Sequence, residues 1–355
     1  MTTTTIDEAQ LNEFAGRFLT DFAATHHAAT VVVGDRLGLY RALAETGPTT
    51  PRAVALAAGC DERYTREWLN AQAASGYCEY DADTGHYYLT PVQQACLADD
   101  GAPTFLAAGM YVAASLFKDE QRIAEAFRAG TGVAWAEHHH DLFAGVERFF
   151  RPGYAANLTS SWIPALDGAE ARLLEGTTVA DVGCGHGASS ILLAQAYPAS
   201  VVVGYDNHAP SIDAARRAAK EAGVDNRVRF ELASAQDFPG GDYGLVCTFD
   251  ALHDMGDPIG AATHIRAALA ADGTWLLVEP AAGESVADNL NPIGRLFYSA
   301  STFICTPAAR SQTGGYALGA QASEAQLRHV AAQAGFTRFR RVIDTPVNRI
   351  IEIRR

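Results

Sequence analysis

The 355-residue chain lacks several things, and each lack excludes a class of function. Its six cysteines (Cys60, Cys78, Cys96, Cys184, Cys247 and Cys305) are scattered, with no C-x-x-C pair. That spacing excludes a zinc ribbon or finger and reads as reduced thiols in a cytoplasmic protein. Positive charge is scarce: 27 Lys and Arg against 41 Asp and Glu, a formal net charge of −14. Without clustered cations to release counterions, a polyanionic partner is not expected. No apolar run approaches the ~20 residues of a membrane span. Met1 to Thr5 carry neither the basic nor the apolar part of a secretory signal. Beyond the opening threonines no repeat or low-complexity tract appears. The remaining composition, 48% hydrophobic and 19% charged, is that of an ordinary globular protein, long enough for two domains.

Patterning divides the chain at about residues 100 and 170. Leu11, Phe14, Phe18 and Phe22 recur at helical spacing ahead of the first domain, and this apolar stripe implies packing on a second subunit, a homodimer. Val31 to Ala44 reads as a helix. Thr50-Pro51 starts another, and Asp61 caps a third that stops at Gly76. Two short β-like runs, Tyr77 to Tyr80 and His86 to Leu89, turn at Asp83-Thr84-Gly85. Three helices and a β-wing make a winged helix over residues 1–100. Between residues 30 and 100 there are five Arg and ten Asp or Glu, the reverse of a DNA-reading face. The domain is therefore read as a dimerisation module.

Residues 101–170 read as helical connecting structure. Trp135 and the run His138-His139-His140 are its unusual chemistry. Consecutive side chains on a helix diverge, so the three imidazoles do not share one ion, and no metal is expected there. Trp135 and His139 are candidates for the acceptor side of a cleft.

From Thr178 strand and helix patterns alternate, which implies a largely parallel sheet covered on both faces over residues 171–355. Asp181, Asp206, Ser234, Asp250 and Glu279 fall at or just beyond strand ends, where ligands of such sheets bind. The glycine loop Asp181-Val-Gly183-Cys-Gly185-His-Gly187 leads into a helix from Ala188. Gly183, Gly185 and Ala188 satisfy the dinucleotide fingerprint, with Asp206 placed for a ribose. Three features point away from a dinucleotide. Asp181 would crowd a pyrophosphate but suits an ammonium or sulfonium ligand. Gly187 makes the loop G-x-G-x-G, and the last two strands read as a hairpin rather than a parallel crossover.

These residues resemble the first motif of class I S-adenosylmethionine-dependent methyltransferases. The resemblance implies a Rossmann-like seven-stranded α/β sheet whose last strand is antiparallel. It implies S-adenosylmethionine as cofactor, with Asp181, Gly183, Gly185 and Gly187 at its methionine part and Asp206 and Asn207 at its ribose. Ser234 and Ala235 then fall at its adenine, where the family usually has an acid, and Phe249 and Asp250 line the same cleft.

After the fourth strand of this domain comes Leu252-His253-Asp254-Met255-Gly256-Asp257-Pro258. A histidine at the mouth of the cleft suits a general base, because hydroxyl acceptors are poor nucleophiles until deprotonated. Glu279, ending the next strand, would orient its ring. Asp254 and Asp257 read as caps of the following helix. The segment is similar to that of small-molecule O-methyltransferases with an N-terminal winged-helix dimerisation domain, above all an actinobacterial group. In that family the histidine is the base. The chain departs from the plant members in Met255-Gly256, where they have Trp, and in Asn289-Leu-Asn291-Pro292. Residues 281–320 are expected to wall the acceptor, with Asn291 and Tyr298 facing it from a helix over about 292–303. A related iron-dependent C-methyltransferase class uses a His-Asp pair in this region. No third ligand stands out between residues 280 and 320, so no metal is expected. The alternatives left open are C- or N-methylation by proximity, a cofactor-sensing winged-helix regulator, and an NAD-linked reductase.

Overall fold

The computed structural model describes residues 6–355. The opening residues 1–5, where a signal sequence was sought, lie outside it. Among the described residues no helix is long and apolar enough to cross a membrane. The chain divides into two compact units, Met1–Ala114 with Ala144–Pro152, and Ser115–Phe143 with Gly153–Arg355.

In the first unit the aromatic stripe and the start of the expected Val31–Ala44 helix are one element, α1 (Glu8–Arg36), capped by Asp7. Nothing between Phe22 and Val31 breaks a helix. The break falls instead at Gly38, whose φ of 68° is left-handed, and α2 (Leu39–Thr46) follows. Thr50 and Asp61 cap α3 (Pro51–Ala58) and α4 (Glu62–Ala74) with their side chains, as the sequence implies. The wing is an antiparallel pair, β1 (Glu79–Asp81) and β2 (His86–Tyr88), followed by α5 (Pro91–Leu97). Val31, Leu43, Val54 and Leu69 are fully buried at the centre of this unit. Leu11, Phe14, Phe18, Leu19 and Phe22 on α1 are each more than half exposed.

Two long helices, α6 (Gly109–Ala129) and α7 (His140–Asn157), form most of the middle of the chain, followed by α8 (Ala169–Glu175). The second unit is built on seven strands: β3 (Thr178–Val182), β4 (Val201–Asp206), β5 (Val228–Leu232), β6 (Tyr243–Phe249), β7 (Leu269–Pro280), β8 (Arg338–Asp344) and β9 (Asn348–Arg354). Their order is β5-β4-β3-β6-β7-β9-β8. β3 to β7 are parallel neighbours, and β9 inserts antiparallel beside β7, so the last strand is the reversed one. Every residue of β6 is buried, as in a strand covered on both faces.

The helices α9 (Ala188–Ala196), α10 (Ala209–Glu221), α11 (Pro258–Ala268) and α14 (Glu324–Gln333) follow the crossovers. The late insertion departs from expectation. Its helix does not stop near residue 303 but continues from α12 (Pro292–Ala300) through a π-helical turn (Ser301–Cys305) into α13 (Thr306–Ser311). Strand order reverses between β3 and β6. The crevice at their carboxyl ends is where the fold places a ligand.

Candidate active site

The glycine loop leaves β3 and is held from behind. Gly183 and Cys184 both donate backbone N–H to the carbonyl of Tyr205. Gly185 N–H donates to the Asp206 carboxylate at 2.9 Å, which ties the loop to the end of β4. Gly187 has φ 82°, and a Cβ there would stand 2.5 Å from the Phe230 ring, so its lack of a side chain is a packing demand. Gly185 also has positive φ, 53°, yet among the described residues no atom beyond its chain neighbours lies within 4 Å of where its Cβ would be. Its bareness leaves open space above the loop.

Asp181 is fully buried. One carboxylate oxygen accepts from Ser189 and Ser190 hydroxyls, both at 2.6 Å. The other is buried with no hydrogen-bond partner. Burial, only partly offset by the two hydroxyls, raises its pKa to about 6. Such an acid calls for a cationic donor. Asp206 accepts from Gly185 and His208 N–H groups and retains lone pairs for a diol. Burial raises its pKa too.

Asn207 follows on the surface, and Ser234 lies beyond the end of β5 with its hydroxyl on Asp237 at 2.6 Å. An acid is therefore attached at the position where Ser234 replaces the usual one. Ala235 is half-buried against the core. Phe249 ends β6 and Asp250 follows it. Asp250 has φ 48°, a strained value for a side-chain-bearing residue. Tyr154 and Asn348 both donate to its carboxylate, and Phe249 packs on Tyr154 and Trp162. Burial and the nearby Glu279 raise the Asp250 pKa to about 7.

His253 lies in a 3-10 turn (Leu252–Asp254) directly after β6. Its Nδ1 is 2.7 Å from Glu279 Oε2, and the other Glu279 oxygen accepts from Leu252 N–H at 3.1 Å. Glu279 is fully buried on β7, so the ring orientation is fixed by a clamped carboxylate. Burial opposes charge on His253, but Asp254 and Glu279 outweigh it and raise its pKa well above the usual histidine value. Asp257 caps α11 by accepting from Gly260 N–H at 2.8 Å. Asp254 does not cap a helix, contrary to the expectation from sequence. Its Oδ1 lies 3.2 Å from His253 Nε2. The expectation of no third ligand-type residue in the late insertion is also corrected. Cys305 reaches His253 and Asp254, because the π turn carries it into the pocket.

The histidine run divides by role. His139 is the N-cap of α7, accepting from Asp141 N–H at 3.2 Å. His140 is exposed, and Lys118 already places an ammonium on Asp141 at 2.5 Å. His138 is the buried member. Its Nδ1 pairs with Asp119 at 2.9 Å, and its Nε2 is buried without a partner. It lies close enough to act electrostatically on Asp254. Trp135 is half-buried against Phe143. Asn291 caps α12 through Gly294 N–H at 2.9 Å and is exposed, while Tyr298 is half-buried on that helix. The structure thus gathers Asp181, the glycines, Asp206, Phe249, Asp250, His253 and Glu279 at neighbouring strand ends. It adds His138, Asp119, Tyr154 and Cys305, which the sequence did not single out for the site.

Comparison with known proteins accords with this fold. Residues 25–99 match the Rv2258c-like winged HTH domain, and residues 173–326 match a methyltransferase domain. The chain is 28% identical over 353 residues to acetylserotonin O-methyltransferase of Mus musculus, covering 91% of this chain and 84% of the relative. Among solved structures, mitomycin 7-O-methyltransferase aligns with a TM-score of 0.71 at 19% identity, over 98% and 99% of the two chains. Human N-acetylserotonin methyltransferase, solved in complex with SAM, aligns with a TM-score of 0.68 at 18% identity, over 100% and 99%.

Proposed function

We propose that this chain, a class I methyltransferase with an N-terminal winged-helix domain, transfers a methyl group from S-adenosylmethionine to a hydroxyl of a small molecule, with His253 as general base. The observation that carries the reading is the His253–Glu279 dyad, 2.7 Å across and buried beside the glycine loop. S-adenosylmethionine supplies an electrophilic methyl on a sulfonium centre.

The residues fit that cofactor. The partnerless buried oxygen of Asp181 suits an ammonium group, the open space over Gly185 admits a ligand against bare backbone, and Gly183 and Gly187 shape the turn. Asp206 and Asn207 would take a ribose diol, Ser234 and Ala235 a base, and Phe249 and Asp250 the wall between them. His253 receives the acceptor's proton at Nε2, while Glu279 holds Nδ1 and stabilises the imidazolium that results. His138, held by Asp119, offers a second oriented imidazole for the acceptor, with Trp135, His139, Asn291 and Tyr298 as outer candidates.

We assign dimerisation to residues 1–100, through the exposed stripe of α1, and methyl transfer to residues 171–355, with 101–170 connecting them. The acidic balance of the winged helix supports a structural rather than DNA-reading role, in a cytoplasmic homodimer. The test is turnover on a panel of phenols and alcohols beginning with N-acetylserotonin. His253→Ala and His253→Gln should keep S-adenosylhomocysteine affinity and lose ~10²–10⁴-fold in kcat. Wild-type turnover in both variants would leave proximity as the mechanism and end the base role.

A further inference from the structure

His253, Asp254 and Cys305 each offer one ligand-type atom, and the three atoms lie within 4.8 Å of one another. The Cys305 thiol hydrogen-bonds with both His253 and Asp254. His253 Nε2 and Asp254 Oδ1 are 3.2 Å apart, an ion-pair contact in which Oδ1 is buried. Nitrogen and oxygen ligands at their usual bond lengths from a tetrahedral zinc stand about 3.3 Å apart, so the two atoms have the separation of ligands facing a common point.

The support behind them has the same character. Glu279 holds Nδ1 at 2.7 Å, the carboxylate–imidazole pairing that orients a metal-ligating histidine and leaves Nε2 for the ion. Cys305 ends a π-helical turn, an irregularity that frequently marks functional sites. One imidazole, one carboxylate and one thiol suit zinc or cobalt. Magnesium and calcium take oxygen ligands instead.

We propose that His253, Asp254 and Cys305 bind a zinc-class dication, and that its occupancy turns the pocket off by taking Nε2 away from proton transfer. The site stands on geometry alone; the off-state rests on the reading of His253 as base. Binding forms bonds from the metal to Nε2, Oδ1 and Sγ. The thiol proton, with any proton on Nε2, leaves to solvent, and no electrons change hands. The fourth position is left for water.

The test uses the full-length protein stripped with a chelator and titrated with Co²⁺, whose thiolate charge-transfer absorption reports a cobalt–sulfur bond directly. Wild type should bind one equivalent with that absorption. Cys305→Ser and Cys305→Ala, each checked for an unchanged melting profile, should lose the absorption and bind at least ~100-fold more weakly. Zinc should suppress methyl transfer by wild type, and suppression of each Cys305 variant, read against that variant's own zinc-free rate, should need ~100-fold more zinc. A wild type that binds no stoichiometric cobalt, or lacks the thiolate band, overturns the site without recourse to any variant. Full zinc loading with undiminished turnover overturns the off-state. A stripped protein that shows the cobalt band but methylates no hydroxyl acceptor overturns the base reading and leaves the metal site standing.

Discussion

The two halves of the crevice meet the same problem, a buried carboxylate, in opposite ways. At the glycine loop Asp181 is served only by two neutral hydroxyls, and one of its oxygens has no partner. Across the crevice Glu279 is equally buried but holds an imidazole at 2.7 Å. The first half is electrostatically incomplete and waits for a cation from outside. The second holds an imidazole that becomes a cation when it takes up a proton. On the proposed function a ligand's ammonium group goes to the Asp181 side, and proton transfer to the Glu279 side, where a charge formed in the reaction would be compensated.

Substitutions on the two carboxylates should separate these roles. Glu279→Gln breaks the oriented side, because an amide can donate to Nδ1 and impose the wrong tautomer. Turnover should fall ~10²–10⁴-fold, with S-adenosylhomocysteine affinity unchanged by calorimetry.

Asp181→Asn breaks the incomplete side. Losing a charge-assisted hydrogen bond should weaken S-adenosylhomocysteine binding ~10–100-fold. The same change should stabilise the free protein. The folded-state pKa of about 6 lies above the value of ~3.9 expected in the unfolded chain, so the native state binds the proton more tightly. The contribution of this group to stability is then fully present below about pH 4 and is lost as pH rises through about 6. Removing the ionisable group should restore on the order of 2 kcal/mol at pH 7, seen as a raised Tm. A substitution that lowers both affinity and Tm would contradict the picture of an uncompensated charge.

A smaller contrast lies within the loop itself. Gly187→Ala places a methyl against Phe230 and should lower stability by about 2 kcal/mol in denaturant titrations. Gly185→Ala meets no protein atom, so its stability cost is confined to the positive φ, about 1 kcal/mol, and its main effect should be weakened cofactor binding.

The two halves also differed in how much of them could be read from sequence. Asp181 to Gly187 are consecutive, and a strand–turn–helix pattern surrounds them, so local grammar exposes the loop. His253 and Glu279 were visible because each lies at or just beyond a strand end. Cys305 was not, because a π turn shifts which residue of 301–305 faces inward, and a 3.6-residue period does not foresee the slip. The choice of His139 from three identical neighbours had no local signal to guide it. The 3-10 turn Trp135–Glu137 and the cap of α7 put His138 inside and leave His139 on the helix end. Helix breaks were legible where a cap or a glycine caused them, at Thr50, Asp61 and Gly76. The stripe of α1 gave no sign that the helix continues without interruption to Arg36.

On the proposed function the buried, partnerless oxygen of Asp181 receives the ammonium group of a sulfonium nucleoside. Calorimetric titration with S-adenosylmethionine and S-adenosylhomocysteine from pH 5 to pH 8 tests it most directly. One site per chain is expected, with affinity falling as pH drops through about 6 and Asp181 takes up a proton. No heat with either nucleoside, beside clear saturation by NADH, would contradict it.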